Sequence, residues 1–206
     1  MSLPNQLTVL RFVLAFVLFG LLMGTDVAAG PEWWPAVASA GLFMFAVFTD
    51  FLDGYLARKW EQVSVFGRIA DPVADKVIVS GSLIFLVSSS WATHYLPVWV
   101  VVVILAREYL VTGLRGFIES RGVAFGASWD GKLKMISQCC LVPALFLTRG
   151  VDLAWGGEPA WLQGTLTVLA HLFVWLTLAL SVLSAVRYVQ AATRLLRPAP
   201  GDSPTA

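Results

Sequence analysis

Six apolar runs recur along this chain, at about residues 6–24, 35–56, 70–90, 96–118, 133–149 and 162–190. Each approaches the roughly 20 residues an α-helix needs to cross the hydrocarbon core of a bilayer. Composition points the same way. Of 206 residues, 58% are hydrophobic and 13% charged, and the mean hydropathy is +0.77, too apolar for a soluble domain of this length. The expected fold class is all-α: a polytopic membrane protein with six transmembrane helices. The last run is long enough to tilt or to project a turn or two beyond the bilayer. The first begins with Pro4 and Asn5 and lacks a small-residue cleavage site, so it reads as a retained helix rather than a signal peptide.

Charge is distributed unevenly between the two ends of these runs. Arg58, Lys59 and Arg68 follow the second run, Arg115, Arg121, Lys132 and Lys134 follow the fourth, and Arg187, Arg194 and Arg197 close the chain. The alternate connections hold Asp26 and Glu32, then His94, then Arg149 with Asp152 and Glu158. The positive-inside rule therefore puts both termini in the cytoplasm, which an even number of spans allows. Trp33, Trp34, Trp91, Trp155 and Trp161 fall at the opposite ends, as an interfacial belt would have them. Pro35, Pro97 and Pro159 stand near helix starts, and Pro72 is expected in the first turn of the third helix. Cys139 and Cys140, the only cysteines, suit helix packing and build neither a disulfide framework nor a metal site. There is no internal repeat, linker or second domain. One membrane domain is expected over residues 1–196, with a short, polar, Pro-rich and disordered tail at 197–206.

Four acids break this apolar pattern: Asp50, Asp53, Asp71 and Asp75. Carboxylates in such surroundings are costly and mark functional sites. Asp50 and Asp53 are three apart, and Asp71 and Asp75 four apart, so each pair shares a helical face. Both pairs flank one short cytoplasmic connection and can converge just below the membrane surface. Two divalent cations would balance the four charges. Hard oxygen ligands suit Mg²⁺, Mn²⁺ or Ca²⁺, and the lack of nearby His or Cys argues against zinc. Gly54, Ala57 and Gly67 keep the surroundings small, and Arg58 offers a forked donor for phosphate. Together they read as a pocket for a nucleotide diphosphate, with paired metals clamping an in-line displacement at phosphorus. Helix packing by the small residues, intrahelical ion pairs and an ion-translocating site are the other readings.

The pattern Asp50-x2-Asp53-Gly54-x2-Ala57-Arg58-x8-Gly67-x3-Asp71-x3-Asp75 resembles the signature of the CDP-alcohol phosphotransferases at every fixed position. That resemblance implies a six-helix membrane enzyme, commonly a homodimer, that uses Mg²⁺ or Mn²⁺. Such an enzyme moves a substituted phosphate from a CDP-linked donor to an alcohol and releases CMP. It implies that Asp50, Asp53, Asp71 and Asp75 bind two metal ions and that Asp75 also serves as general base. Gly54, Ala57, Arg58 and Gly67 would line the CDP site. Asn5, Thr8 and Arg11 resemble an Asn-x2-Thr-x2-Arg element that approaches the nucleotide in many relatives, although helix capping accounts equally well for Asn5.

The acceptor alcohol must be read elsewhere. Arg107 and Arg115 are eight residues apart, about 80° around a helix, and Lys132 and Lys134 follow at the start of the fifth run. Four bases beside a metal pair make an anion pocket, and a phosphate on the acceptor is the economical ligand. Lys132 and Lys134 do not share a helical face, so one must reach with its stem or precede the helix. Inside-positive determinants and lipid-headgroup contacts are the other account of these bases. The segments Arg107–Arg115 and Ser128–Gln138 are similar to those of phosphatidylglycerophosphate synthases. This implies CDP-diacylglycerol as donor and glycerol 3-phosphate as acceptor, with Arg107, Arg115, Lys132 and Lys134 on its phosphate. Met135 departs from the small hydroxyl residue of many relatives, and Asp130 is an acid beside an anion pocket. Inositol phosphate, phosphatidylglycerol (giving cardiolipin) and serine are alternative acceptors, and a divalent-cation transporter is a remote alternative. A bacterial plasma membrane with a cytoplasm-facing site fits these readings, and no nucleic-acid partner is expected.

Overall fold

The computed structural model describes residues 3–24, 32–59, 65–122 and 129–195, excluding the side chains of 3–5, 7, 24, 53–59, 65–72 and 75. Among the described residues every regular element is a helix: α1 (Leu3–Gly24), α2 (Trp34–Lys59), α3 (Val65–Ser88), α4 (Ser90–Thr93), α5 (Val98–Ser120), α6 (Trp129–Trp155) and α7 (Ala160–Leu195). The six apolar runs fall on α1, α2, α3, α5, α6 and α7. The segments Trp34–Leu52, Trp129–Trp155 and Ala160–Leu195 are long and apolar enough to cross a membrane. Thr8–Met23 and Lys76–Ser88 are shorter apolar stretches. Within α5 the apolar pattern is interrupted by Arg107, Glu108 and Arg115.

One expectation needs correction. The third helix begins at Val65, so Pro72 stands two turns inside it rather than in its first turn. Of the two alternatives for the lysines, a start before the helix is excluded, since Lys132 and Lys134 both lie within α6, which begins at Trp129. Pro97 is the N-cap of α5, where its missing N–H costs nothing. The 36 residues of α7 extend about 54 Å at helical rise, well beyond a hydrocarbon core of about 30 Å. The tail 197–206 lies outside the described residues.

α6 packs along α7 and α2, α1 along α2 and α3, and α5 along α7. Leu18, Phe43, Leu83, Ile104, Leu145 and Val174 meet in the common core. Several hydroxyls inside these helices bond to the carbonyls of their own helix. Ser82 donates to the Ile78 carbonyl at 2.8 Å, Thr49 to that of Ala46 at 2.7 Å, and Thr148 to that of Ala144 at 2.8 Å. Burial is distributed unlike that of a water-soluble protein. Phe16, Phe51 and Val168 are 68%, 68% and 65% exposed, while Arg11 and Lys134 are 1% and 3% exposed. Apolar flanks with ionised groups drawn inward suit lipid as the surrounding solvent, and the protein is an integral membrane protein.

Small residues bring the helices close, as lipid-embedded bundles require. A Cβ added at Gly150 would lie 2.7 Å from Val37 Cγ2 and 3.7 Å from the Trp33 carbonyl oxygen. Gly150→Leu is therefore expected to push α6 from α2 and cost about 1–3 kcal/mol. Thermal unfolding of the detergent-solubilised protein measures this, and an unchanged melting temperature would contradict the close packing.

Candidate active site

At the aspartate end, α1 and α2 meet through a buried ion pair. Arg11 Nη1 lies 2.8 Å from Asp50 Oδ1, and the Asp50 side chain is 27% exposed. Thr8, one turn earlier on α1, is fully buried. The Thr8–Arg11 face of the first helix is thus brought against the first motif aspartate. Asp53, Gly54, Ala57, Arg58, Gly67, Asp71 and Asp75 lie on the helical backbones of α2 and α3, and Asn5 on α1. Their side chains fall outside the described set. The partly open Asp50 carboxylate and an oxygen-only donor set fit a hard divalent cation.

A second cluster lies where α5, α6 and α7 meet. Glu108 Oε1 accepts from Arg107 Nη1 at 2.9 Å and also from Lys134 Nζ. Arg107 Nε donates to Ser184 Oγ of α7 at 3.0 Å, and its guanidinium lies 5.8 Å from the Tyr188 ring centroid. Below these groups, Ser137 and Thr177 share a buried 2.6 Å hydrogen bond between α6 and α7. A buried charge is tolerable only when paired and hydrogen-bonded. One carboxylate, a serine hydroxyl and a tyrosine face fulfil that for Arg107.

This cluster opens onto two adjoining cavities. The inner one, of 120 Å³, is lined by Lys76, Ser80, Arg107, Glu108, Lys134 and Gln138 among others. The outer one, of 540 Å³, shares Lys76, Arg107 and Glu108 and adds Arg115 and Lys132. All four bases expected at an anion site thus border one or other of these connected spaces. They are not equivalent. Arg107 and Lys134 are buried and fixed, whereas Arg115 is exposed and bonded to Glu119 at 2.9 Å. Lys132 is exposed too, reaching back over the Trp129 ring with Nζ 4.6 Å from its centroid.

Asp130, the acid that looked misplaced beside an anion pocket, is bonded to Arg187 of α7 and lines neither cavity. Met135 borders both. Glu108, Lys76, Ser184 and Tyr188 were not singled out from the sequence. Glu108 carried a signal, since an acid inside an apolar run next to Arg107 is as costly as the four aspartates. Ser184 and Tyr188 carried none, because their role comes from α7 packing along α5. Lys76 follows Asp75 directly on α3 and lines both cavities, so these spaces begin about 4 Å of backbone from the last motif aspartate.

The geometry defines a membrane-embedded helical bundle with a buried Arg11–Asp50 ion pair between α1 and α2 and a basic cavity where α5 and α6 meet. A family model described as CDP-alcohol phosphatidyltransferase matches residues 1–189, and the chain belongs to that family. Among its relatives, the CDP-diacylglycerol–glycerol-3-phosphate 3-phosphatidyltransferase of Bacillus subtilis (strain 168) is 39% identical over 152 residues, covering 71% of this chain and 77% of that protein. The protein of the same name from Yersinia pestis (strain Pestoides F) is 35% identical over 149 residues, covering 67% and 72%. That of Mycoplasma genitalium is 43% identical over 97 residues, covering 47% of this chain and 39% of its own length.

Proposed function

We propose that this enzyme transfers the phosphatidyl group of CDP-diacylglycerol to glycerol 3-phosphate, forming phosphatidylglycerophosphate and CMP. The observation that carries the choice of acceptor is the buried Arg107–Glu108–Lys134 cluster. It supplies fixed positive charge in a cavity that begins one residue from Asp75, where a phosphorylated alcohol has something to bind and a neutral one does not. The names borne by the relatives agree with this reading.

In this mechanism Arg107 and Lys134, joined by Arg115 and Lys132 at the mouth, hold the acceptor phosphate. Asp75 takes the proton from the acceptor hydroxyl. The freed oxygen attacks the phosphorus that carries diacylglycerol, an O–P bond forms, and the bond to the CMP oxygen breaks. Asn5, Thr8, Gly54, Ala57, Arg58 and Gly67 surround the CDP head. Asp50, Asp53, Asp71 and Asp75 would hold two divalent ions, Mg²⁺ or Mn²⁺. When bound, these supply neutralisation of the pyrophosphate and of the leaving CMP, the main demand of phosphoryl transfer. Arg11 orients Asp50 for that task.

The reading includes six membrane spans within one domain over 1–196, a polar tail at 197–206 and both termini in the cytoplasm. It also includes a homodimer in a bacterial plasma membrane. A site just inside the cytoplasmic surface lets acyl chains stay in lipid while glycerol 3-phosphate and CMP exchange with water. Release of labelled CMP from CDP-diacylglycerol, with a panel of alcohols and with or without Mg²⁺, tests the assignment. Glycerol 3-phosphate should be the preferred acceptor, and release that ignores the acceptor would defeat the reading. Arg115→Ala should raise the KM for glycerol 3-phosphate about tenfold, the worth of one charge-assisted hydrogen bond, and leave the donor KM nearly unchanged. An equal rise for both substrates would assign Arg115 a structural role.

A further inference from the structure

The opposite end of the bundle holds a polar cavity that the transfer reaction does not use. It has a volume of 220 Å³, and its lining includes Trp91, His94, Tyr95, Arg149, Asp152 and Gln163. α3 rises from Asp75 to Ser88, and α6 from Lys134 to Arg149. The cavity therefore lies about 20 Å along the bundle from the acceptor cavities.

Among the described residues, three polar atoms of its lining are buried without a hydrogen-bond partner: Trp91 Nε1, Arg149 Nε and Gln163 Oε1. The Arg149 guanidinium lies 5.8 Å from the Trp91 ring centroid. Its ion pair among the described residues, from Nη1 to Asp152 Oδ2, is 3.4 Å long, with the Asp152 side chain 50% exposed. Such a contact is too long and too wet to neutralise the charge. Tyr95, His94 and His171 form an aromatic wall beside it, with ring centroids 5.1 to 6.2 Å apart.

Buried donors left unpaired destabilise a fold, so each unsatisfied group in a native structure calls for a ligand or another compensation. Two N–H donors and a cation ask for anionic oxygen, and the Gln163 oxygen asks for a hydroxyl. Trp155, Trp161 and Trp99, all exposed, stand at the ends of the neighbouring helices α6, α7 and α5, where indole rings meet the interface between lipid and water. We propose that this cavity binds the phosphate of a lipid headgroup that also bears a hydroxyl, in the leaflet away from the active site. Trp91 and Arg149 donate to the phosphate, Gln163 accepts from the hydroxyl, and the acyl chains lie against the apolar flank.

The test is lipid-dependent thermal unfolding and binding of the full chain, delipidated in detergent. Phosphatidylglycerol should raise the melting temperature of the wild type. Trp91→Phe and Arg149→Gln should bind it about tenfold more weakly, the loss of one charge-assisted or buried hydrogen bond. Without lipid, Trp91→Phe should be at least as stable as the wild type, because it deletes an unpaired donor. It also carries the test if Arg149→Gln fails to fold. CMP release by Trp91→Phe should match the wild type, which separates this site from the catalytic one. Equal binding by all three proteins overturns the proposal. A variant-sensitive response to inorganic phosphate alone overturns the lipid source, and an equal response to phosphatidylcholine overturns the hydroxyl contact.

Discussion

Asp75→Asn is expected to lower CMP release by about 10²–10⁴-fold, the usual worth of a positioned general base. The amide keeps the size of the carboxylate and one oxygen that can still face a cation, but it cannot take a proton from the acceptor hydroxyl. Nucleotide binding should therefore survive in part, with turnover lost. Asp50→Asn makes the informative contrast. Asp50 is ion-paired with Arg11 at 2.8 Å, so neutralising it weakens the pairing of a guanidinium that is 1% exposed. That variant should lose folded stability and nucleotide binding together. Steady-state CMP release, CDP binding and thermal unfolding on the two variants distinguish base from ligand. Wild-type turnover in Asp75→Asn would remove the base assignment.

The course of the chain was largely legible because lipid imposes a simple rule: a run of about 20 apolar residues becomes a helix. Boundaries were less legible. Pro72 looked like a helix start, yet α3 begins at Val65, since a proline can be carried inside a helix whose neighbours compensate it. The single turn α4, Ser90–Thr93, is too short to show any periodicity. At the site, Arg107 and Lys134 could be found because bases in apolar runs are costly wherever they occur. Their ranking above Arg115 and Lys132 could not, because spacing along α5 and α6 does not reveal which bases the packing buries. Ser184, 77 residues from Arg107, supplies the bond to its Nε. The cancelling of Asp130 by Arg187, 57 residues away, is equally a product of packing.

Glu108→Gln should be the most damaging single change in the Arg107–Glu108–Lys134 cluster. One carboxylate oxygen serves both Arg107 and Lys134, whose side chains are 9% and 4% exposed. The amide preserves shape but removes the one carboxylate that Arg107 and Lys134 share. Removing one partner of a buried pair costs about 3–5 kcal/mol. At 3 kcal/mol, a chain of this size would lose on the order of 10 °C in melting temperature. The KM for glycerol 3-phosphate should rise as well, because the two bases then repel each other out of register. Glu108→Gln combined with Lys134→Met separates stability from binding. It removes one of the two cations that shared the Glu108 carboxylate, so part of the lost stability should return while acceptor affinity falls further. If stability and acceptor KM recovered together in the double variant, the cluster would be a structural tie between α5, α6 and α7. Divergence of the two readouts is the outcome expected of a phosphate site held in place by its own countercharge.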